Sequence, residues 1–401
     1  MMTRLAPRDE AELAEVIRAA NADATPLKLT GARSKTQLGR PATGEELSVA
    51  PLEGVTLYEP EELVISARAG TPLAEIGALL EAHGQHLAFE PMDYGPLLGL
   101  ASGQGSIGAL VAVGGGGPRR IKAGALRDHL LGFRCVTGRG EIVKSGGRVM
   151  KNVTGYDLSK LVAGSHGTLA ALTEVTFKAL PKPETEQTLL LTGLCEDTSL
   201  AALRAASGSP YEPSGLAMLP RLAAPLRLDV NAAAIRLEGP AISVARRLED
   251  LRALLAERGG DFETLPQAES AALWRALRDA APVAGQPGQV WRISVAPTDG
   301  HALVAGLREA DAPLLAYFYD WAGGLVWLCF EPAVDAHAAL LRTVIGRLGG
   351  HATLIRASAE VRAAVDVFQP QPPALAALTR RVKESFDPAH ILERGRLRAE
   401  F

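Results

Sequence analysis

The chain has 401 residues, 47% hydrophobic and 22% charged, with a formal net charge of −3 and a pI near 6.3. That is long enough for two or three domains of ordinary soluble composition, and with no basic excess to neutralise a phosphate backbone, nucleic-acid binding is not expected. Its three cysteines, Cys135, Cys195 and Cys329, lie far apart without a CxxC pair. They offer no iron–sulfur or zinc site and favour a reducing compartment.

The N-terminus carries charge from residue 4 and has no apolar h-region, so a signal peptide is not expected. No apolar run reaches spanning length. The first predicted element is a helix: Asp9 can cap it, Glu12 follows three residues later, and Leu13, Val16, Ile17 and Ala20 share one face. A strand over residues 26–30 then runs into the polar turn 31–35, GARSK. Residues 62–69 alternate as a half-buried strand. Pro72 stands at a first helical position, and residues 73–83 form a helix that ends near Gly84.

Glycine is dense from 95 to 117. A hairpin follows, LLGFRCVT and EIVKS joined by Gly138-Arg-Gly140. Asp157 can cap a short helix bearing Leu158, Leu161 and Val162, which Gly164 ends. Residues 165–168, SHGT, are then a turn, and 169–180 a strand. After Pro181-Lys-Pro183 the texture changes. Helices over 242–258 and 268–280 alternate with strands over 232–238, 290–296, 312–319 and 325–330. From about Gly349 the tail reads as loop, a helix over 374–385, and a final segment.

Three glycine-bearing stretches can approach a ligand closely. In the 31–35 turn successive N–H groups can form an anion nest with Ser34 and Lys35, although the same residues also make a plain surface turn. The 103–117 run can underlie a flat ring or be a flexible loop. In the SHGT turn, Ser165 and Thr168 can donate to phosphate or ribose, and His166 reads as a solvent-facing histidine rather than a base. There is no G-x-G-x-x-G with a following acidic residue, no P-loop, no HExxH and no GxSxG.

The order of strand and polar glycine turn, T-P helix, glycine stretch ending GPRR (117–120), and MKNVTGYDLSKLxxGSxGTLxxLTE resembles the FAD-binding domain of the vanillyl-alcohol oxidase/p-cresol methylhydroxylase (PCMH) family. More narrowly it resembles the FAD-binding subunits of bacterial glycolate oxidases. The likeness is strong over residues 10–182 and resumes at Trp291-Arg-Ile-Ser294, Asp320-Trp-Ala-Gly-Gly324 and Gly349-Gly-His-Ala-Thr353. It implies an α+β chain: a PCMH-type domain of two α/β subdomains over 1–181, a smaller α+β cap domain over 182–350, and a C-terminal segment over 351–401 packing back on the first.

The resemblance further implies FAD held by Gly31, Ala32, Arg33, Ser34, Lys35, Ser106, Gly108, Ala109, Asp157, Gly164, Ser165, Gly167, Thr168 and Leu172. The turn 31–35 would meet the pyrophosphate. Covalent relatives carry His in that turn; this chain has neither His nor Cys there, so the FAD is expected to be non-covalent. The family's C-terminal Asn-Pro-Gly-Arg stands here as Glu393-Arg394-Gly395-Arg396, which weakens the expectation of a flavin contact from the tail.

A 2-hydroxy acid needs a cation for its carboxylate and a base for its hydroxyl. Arg292 and Arg356 are the candidate cations and His351 the candidate base, with Asp320 and Trp321 shaping the pocket. The implied function is oxidation of glycolate or a related 2-hydroxy acid, beside a larger FAD-containing glycolate oxidase subunit and an iron–sulfur subunit. The alternative is a structural or electron-relay subunit whose partner oxidises the acid. The expected location is the cytoplasm, with any membrane association made through partners.

Overall fold

The computed structural model describes residues 5–148 and 156–400; Met150 to Gly155 of the MKNVTGY motif lie outside them. The helix Glu10–Ala22 begins where the Asp9 side chain accepts the Glu12 N–H at 2.8 Å, satisfying a donor that the helix itself cannot. It buries Leu13, Ala14, Ile17 and Ala20; Val16 is only half-buried, and Ala14 takes the place expected for it. Beneath lies a parallel pair, Leu27–Thr30 and Glu45–Ser48, with Leu29 opposite Leu47. Isolated bridges add Leu5 beside Leu47 and Leu392 beside Leu27, so the C-terminal tail completes the first subdomain. Ile391 and Leu392 share its core with Leu13, Ile17 and Leu47.

The second subdomain is a five-stranded antiparallel sheet in the order Val55–Glu59, Val64–Arg68, Ala170–Lys178, Leu130–Thr137, Ile142–Gly146. The expected hairpin is present, with Phe133 opposite Ser145. The helices Leu73–Ala82, Ile107–Val113 and Leu158–Val162 pack on this sheet through Ile76, Leu80, Leu110, Val111 and Val162. Pro72 occupies the cap position of its helix rather than the first turn. The stretch that also read as a flexible glycine loop contains the helix Ile107–Val113. Gly114, at φ 66, ends it in the left-handed conformation that glycine adopts at low cost.

The remaining sheet has eight strands in the order Asp261–Leu265, Thr185–Thr192, Ala232–Gly239, Gly215–Leu219, Leu314–Asp320, Leu325–Phe330, Gln289–Ser294, His351–Arg356. The last strand corrects the expectation of a loop after Gly349: His351–Arg356 pairs antiparallel with Gln289–Ser294, placing Thr353 opposite Arg292 and His351 opposite Ser294. One core of this sheet holds the helices Glu196–Ser207, Ala241–Leu255 and Ala338–Leu348. The other gathers Leu38, Met92, Tyr94, Leu97 and Leu98 from the first half of the chain against Phe318, Trp327 and Val290. The architecture is the expected α+β one. Burial of these side chains, at roughly 25 cal/mol per Å² of apolar surface, makes the contact between the halves a shared core.

An ion network ties the same halves together. Both carboxylate oxygens of Glu90 accept from Arg236, at 2.8 and 3.1 Å. Arg119 donates to both oxygens of Glu238, at 3.0 and 2.6 Å. Burial opposes ionisation of Glu238, but Arg236 and Arg119 outweigh it and hold that carboxyl down at about 2.

Candidate functional site: a two-chambered cleft

The turn 31–35 leaves the strand Leu27–Thr30 and closes against the start of the helix Ile107–Val113. A Cβ on Gly31 would stand 2.7 Å from the Ser106 Oγ, so a side chain there would displace that hydroxyl. Arg33 sits at φ 57, and its guanidinium is tied to Glu46. Lys35 has no ion-pair partner within 4 Å among the described residues; its Nζ lies 3.3 Å from the Ser34 Oγ. Burial pushes the Lys35 amine down to about 8, with Asp93 opposing.

The turn 163–168 forms the facing wall. The Gly164 and His166 N–H groups donate to Val111 and Ala112 carbonyls at 2.9 and 2.7 Å. The Thr168 hydroxyl donates to Ser165 O at 2.7 Å. Gly167 stands at φ 76, and a Cβ on it would crowd Leu29 and Glu393.

Between these walls lies a cleft of about 790 Å³. The Ser106 and Ser165 hydroxyls beside it are buried without a hydrogen-bond partner among the described residues. Orphaned hydroxyls beside a turn that can form an anion nest suit the ribose and phosphate oxygens of a dinucleotide. Of the residues expected at the cofactor, Gly31, Arg33, Ser34, Lys35, Gly108, Ala109, Ser165, Gly167 and Leu172 line the cleft. Ser106, Gly164 and Thr168 are not among its lining residues, and Ala32 is exposed in the turn. Gly108 is demanded by the protein itself, since a Cβ there would meet Ala69 at 2.6 Å. The structure does not bring Asp157 to the cleft. It caps the helix Leu158–Val162 and pairs with Lys160 at the surface.

The tail does reach the cleft, contrary to the weakened expectation for it. Glu393 and Arg396 line it. Glu393 accepts the Leu29 N–H at 2.6 Å and the Arg396 Nε–H at 2.7 Å. Arg396 donates onward to the carbonyls of Thr36, Leu38 and Arg40. Glu393 replaces the Asn of the family pattern, and a carboxylate can accept both bonds; that acceptor capacity was the available signal. Behind it Lys383, almost wholly buried, donates to Thr168 O at 2.7 Å, to Leu392 O at 3.0 Å and to Asp387.

Leu38, Val113 and His166 line both this cleft and a second chamber of about 550 Å³, so the two adjoin. Tyr94, Gly114, Gly116, Arg292 and Phe368 complete the second chamber's wall. Arg292 lies 5.1 Å from the Trp321 ring centre and 5.9 Å from that of Trp327. Its side chain makes no hydrogen bond or ion pair among the described residues, and burial lowers its pKa. Arg120 lies over the same Trp321 ring at 4.9 Å. Trp321 and Ala322 both have positive φ, 52 and 56, a strained pair. The Asp320 carboxylate accepts the Trp321 N–H at 2.7 Å, yet burial pushes Asp320 up to about 7.

The other two catalytic candidates are elsewhere. Arg356 is not free to take a carboxylate: its guanidinium donates to carbonyls of Gly288, Leu97, Ala284, Val283 and Gln286. His351 is exposed on the edge strand, outside the chamber lining. Its pKa is lowered by partial burial, then by Arg292 and Arg120. His166, expected to face solvent, is instead partly buried at the junction of the chambers, its ring edge-on to Phe368 at 5.0 Å.

Comparison with known proteins agrees with this geometry. Residues 3–146 match the family described as FAD binding domain. The chain is 35% identical over 393 residues to the glycolate oxidase subunit GlcE of Escherichia coli K12, covering 97% of each. It is 26% identical over 430 residues to the glycolate oxidase subunit GlcD of Bacillus subtilis 168, covering 99% of this chain and 88% of that one. Among solved structures, p-cresol methylhydroxylase with substrate bound superposes with a TM-score of 0.70 at 12% identity, over 98% of this chain and 88% of the other. The fold is therefore the PCMH one, the cofactor is FAD, and the chain belongs to the family of the glycolate oxidase subunit GlcE among the FAD-linked oxidoreductases.

Proposed function

We propose that this chain is the FAD-carrying subunit of a complex that oxidises glycolate or a related 2-hydroxy acid to the 2-oxo acid and passes the electrons to an iron–sulfur partner. The observation that carries the reading is that the cleft adjoins, through Leu38, Val113 and His166, a chamber where Arg292 has no acceptor among the described residues. FAD, when bound, supplies the hydride acceptor. The turn 31–35 and the Ser106 and Ser165 hydroxyls hold its phosphate and ribose oxygens non-covalently. Arg292 fixes the substrate carboxylate by a charge-assisted contact, and the aromatic rings of Tyr94 and Phe368 keep water from the reacting carbon.

The reading includes a cytoplasmic location. No helix among the described residues is long and apolar enough to cross a membrane, and membrane contact would be made through partners. Sheet membership favours a domain division after residue 181 and again near 357, rather than at 350, because His351–Arg356 belongs to the eight-stranded sheet.

A second reading keeps the same FAD site but assigns the oxidation to the partner flavoprotein subunit, this chain acting as relay or scaffold. The position of His351 outside the chamber favours it. Anaerobic titration of the purified chain with glycolate separates the two. Flavin bands that bleach support the first reading, and flavin bands that stay oxidised support the relay. Absence of flavin from protein refolded with excess FAD would overturn both.

A further inference from the structure

The first reading lacks a proton acceptor, since His351 is exposed outside the chamber. We propose that His166, at the junction of the two chambers, takes the hydroxyl proton of the 2-hydroxy acid. The inference rests on the first reading above and adds the residue that makes its chemistry complete.

Three titratable side chains line the second chamber: Tyr94, His166 and Arg292. Arg292 carries no lone pair for a proton. Burial raises the Tyr94 phenol above its ordinary value, so it stays protonated at neutral pH and is a donor there. His166 is left. Its ring nitrogens make no hydrogen bond to any described residue and neither is sealed off among the enclosed orphan atoms, and the residue lines both chambers.

The backbone holds it there. His166 has φ 54, a conformation a non-glycine residue adopts at a cost. The His166 N–H is anchored to Ala112 O at 2.7 Å, and Phe368 packs against the ring. Two cationic side chains stand near it. Arg396 approaches from the tail, and Arg292 stands in the wall of the same chamber. Burial first, then Arg396, push the imidazole down to about 4. At pH 7 it is neutral, with one nitrogen free to accept.

The step balances. With the carboxylate on Arg292, the hydroxyl proton passes to the free imidazole nitrogen of His166, and the hydrogen on the adjacent carbon leaves as hydride to FAD. The C–O single bond becomes the carbonyl of the 2-oxo acid, and the imidazolium returns its proton to solvent. Protonation beside Arg396 is unfavourable, which speeds that return.

The test uses the FAD-loaded full chain and His166→Gln. Oxalate, an unreactive diacid, reports binding through the flavin difference spectrum, and anaerobic glycolate reports reaction through bleaching. We expect His166→Gln to retain FAD and to bind oxalate within about threefold of wild type. Its bleaching should slow by roughly 100-fold or more, the scale of a lost general base. Added imidazole should restore part of the rate, and the acid limb of the wild-type pH profile should disappear. His166→Asn guards against a misfolded variant. Bleaching within about threefold of wild type, or loss of FAD from both variants, overturns the proposal. A loaded wild type that glycolate does not bleach overturns the first reading instead, and this proposal with it.

Discussion

Two arginines rise from the same eight-stranded sheet and meet opposite fates. Arg236 lies 4.7 Å from the Trp274 ring centre and Arg292 lies 5.1 Å from that of Trp321, so their aromatic contacts are alike. Arg236 also makes four hydrogen bonds: Glu90 takes two, the Ser214 hydroxyl one at 3.1 Å, and Ser214 O another at 3.1 Å. Arg292 has none of these. A buried guanidinium with most of its donors used and a carboxylate beside it is part of the framework. One whose donors are unused, in the wall of a cavity, is costly until an anion arrives. Arg356, with its five carbonyl partners, falls on the Arg236 side. Residue type and burial alone do not separate a binding cation from a structural one; hydrogen-bond accounting does.

The sharpest way to break this comparison is to remove one acceptor. Glu90→Gln leaves Arg236 and Arg119 short of a counter-charge across the shared core, and we expect a loss of about 3–5 kcal/mol in urea denaturation. A loss below about 1 kcal/mol would mean that the network is not a latch. Lys383→Met is expected to cost somewhat less, about 3 kcal/mol, by stranding the Asp387 carboxylate. Because Lys383 also holds Thr168 O, FAD should dissociate measurably faster, and fluorescence of released flavin would follow it.

A third expectation concerns pH. The Asp320 carboxyl has a folded value of about 7 against roughly 3.9 unfolded. The folded chain therefore keeps a proton that the unfolded chain releases. That contribution is complete below about pH 4 and is lost as pH rises through 7. Denaturation from pH 5 to 8 should show falling stability, and Asp320→Asn should flatten the slope. Glu238 works oppositely: held near 2, its stabilisation is present above about pH 4.3 and disappears as pH falls through 2, outside that window. The smallest effect is expected from Arg292→Gln. It strands no acceptor, so stability should stay within about 1 kcal/mol while the flavin difference spectrum with oxalate is lost.

Much of the fold was legible. The strands over 232–238, 312–319 and 325–330 and the helices over 242–258 and 268–280 fall within a few residues of those observed; the helices keep a 3.6-residue periodicity because one face is solvated, whereas Leu325–Phe330, buried at all six positions, reads as a continuous apolar run. Thr185–Thr192, Gly215–Leu219 and Asp261–Leu265 were not anticipated. Gly215–Leu219 is buried at all five positions, and a strand covered on both faces has no alternation to read. His351–Arg356 was hidden by the two glycines before it. In the site, Gly31, Ser165 and Gly167 follow from a turn's need for small residues and free N–H groups. Asp157 was misplaced because a capping carboxylate and a ligand-facing one look alike in sequence.

By itself, then, the sequence determined the α+β class and the glycine-bearing turns, since periodicity and turn chemistry are local properties, and the order of its motifs carried the resemblance that implied FAD. Tertiary structure alone decided which charges are spoken for. It tied Arg356 and Arg236 to carbonyls and carboxylates from distant segments, left Arg292 without an acceptor, brought Glu393 under Leu29, and turned His166 from the surface into the junction of two chambers. Whether a side chain is satisfied depends on neighbours hundreds of residues away, and no local pattern records them.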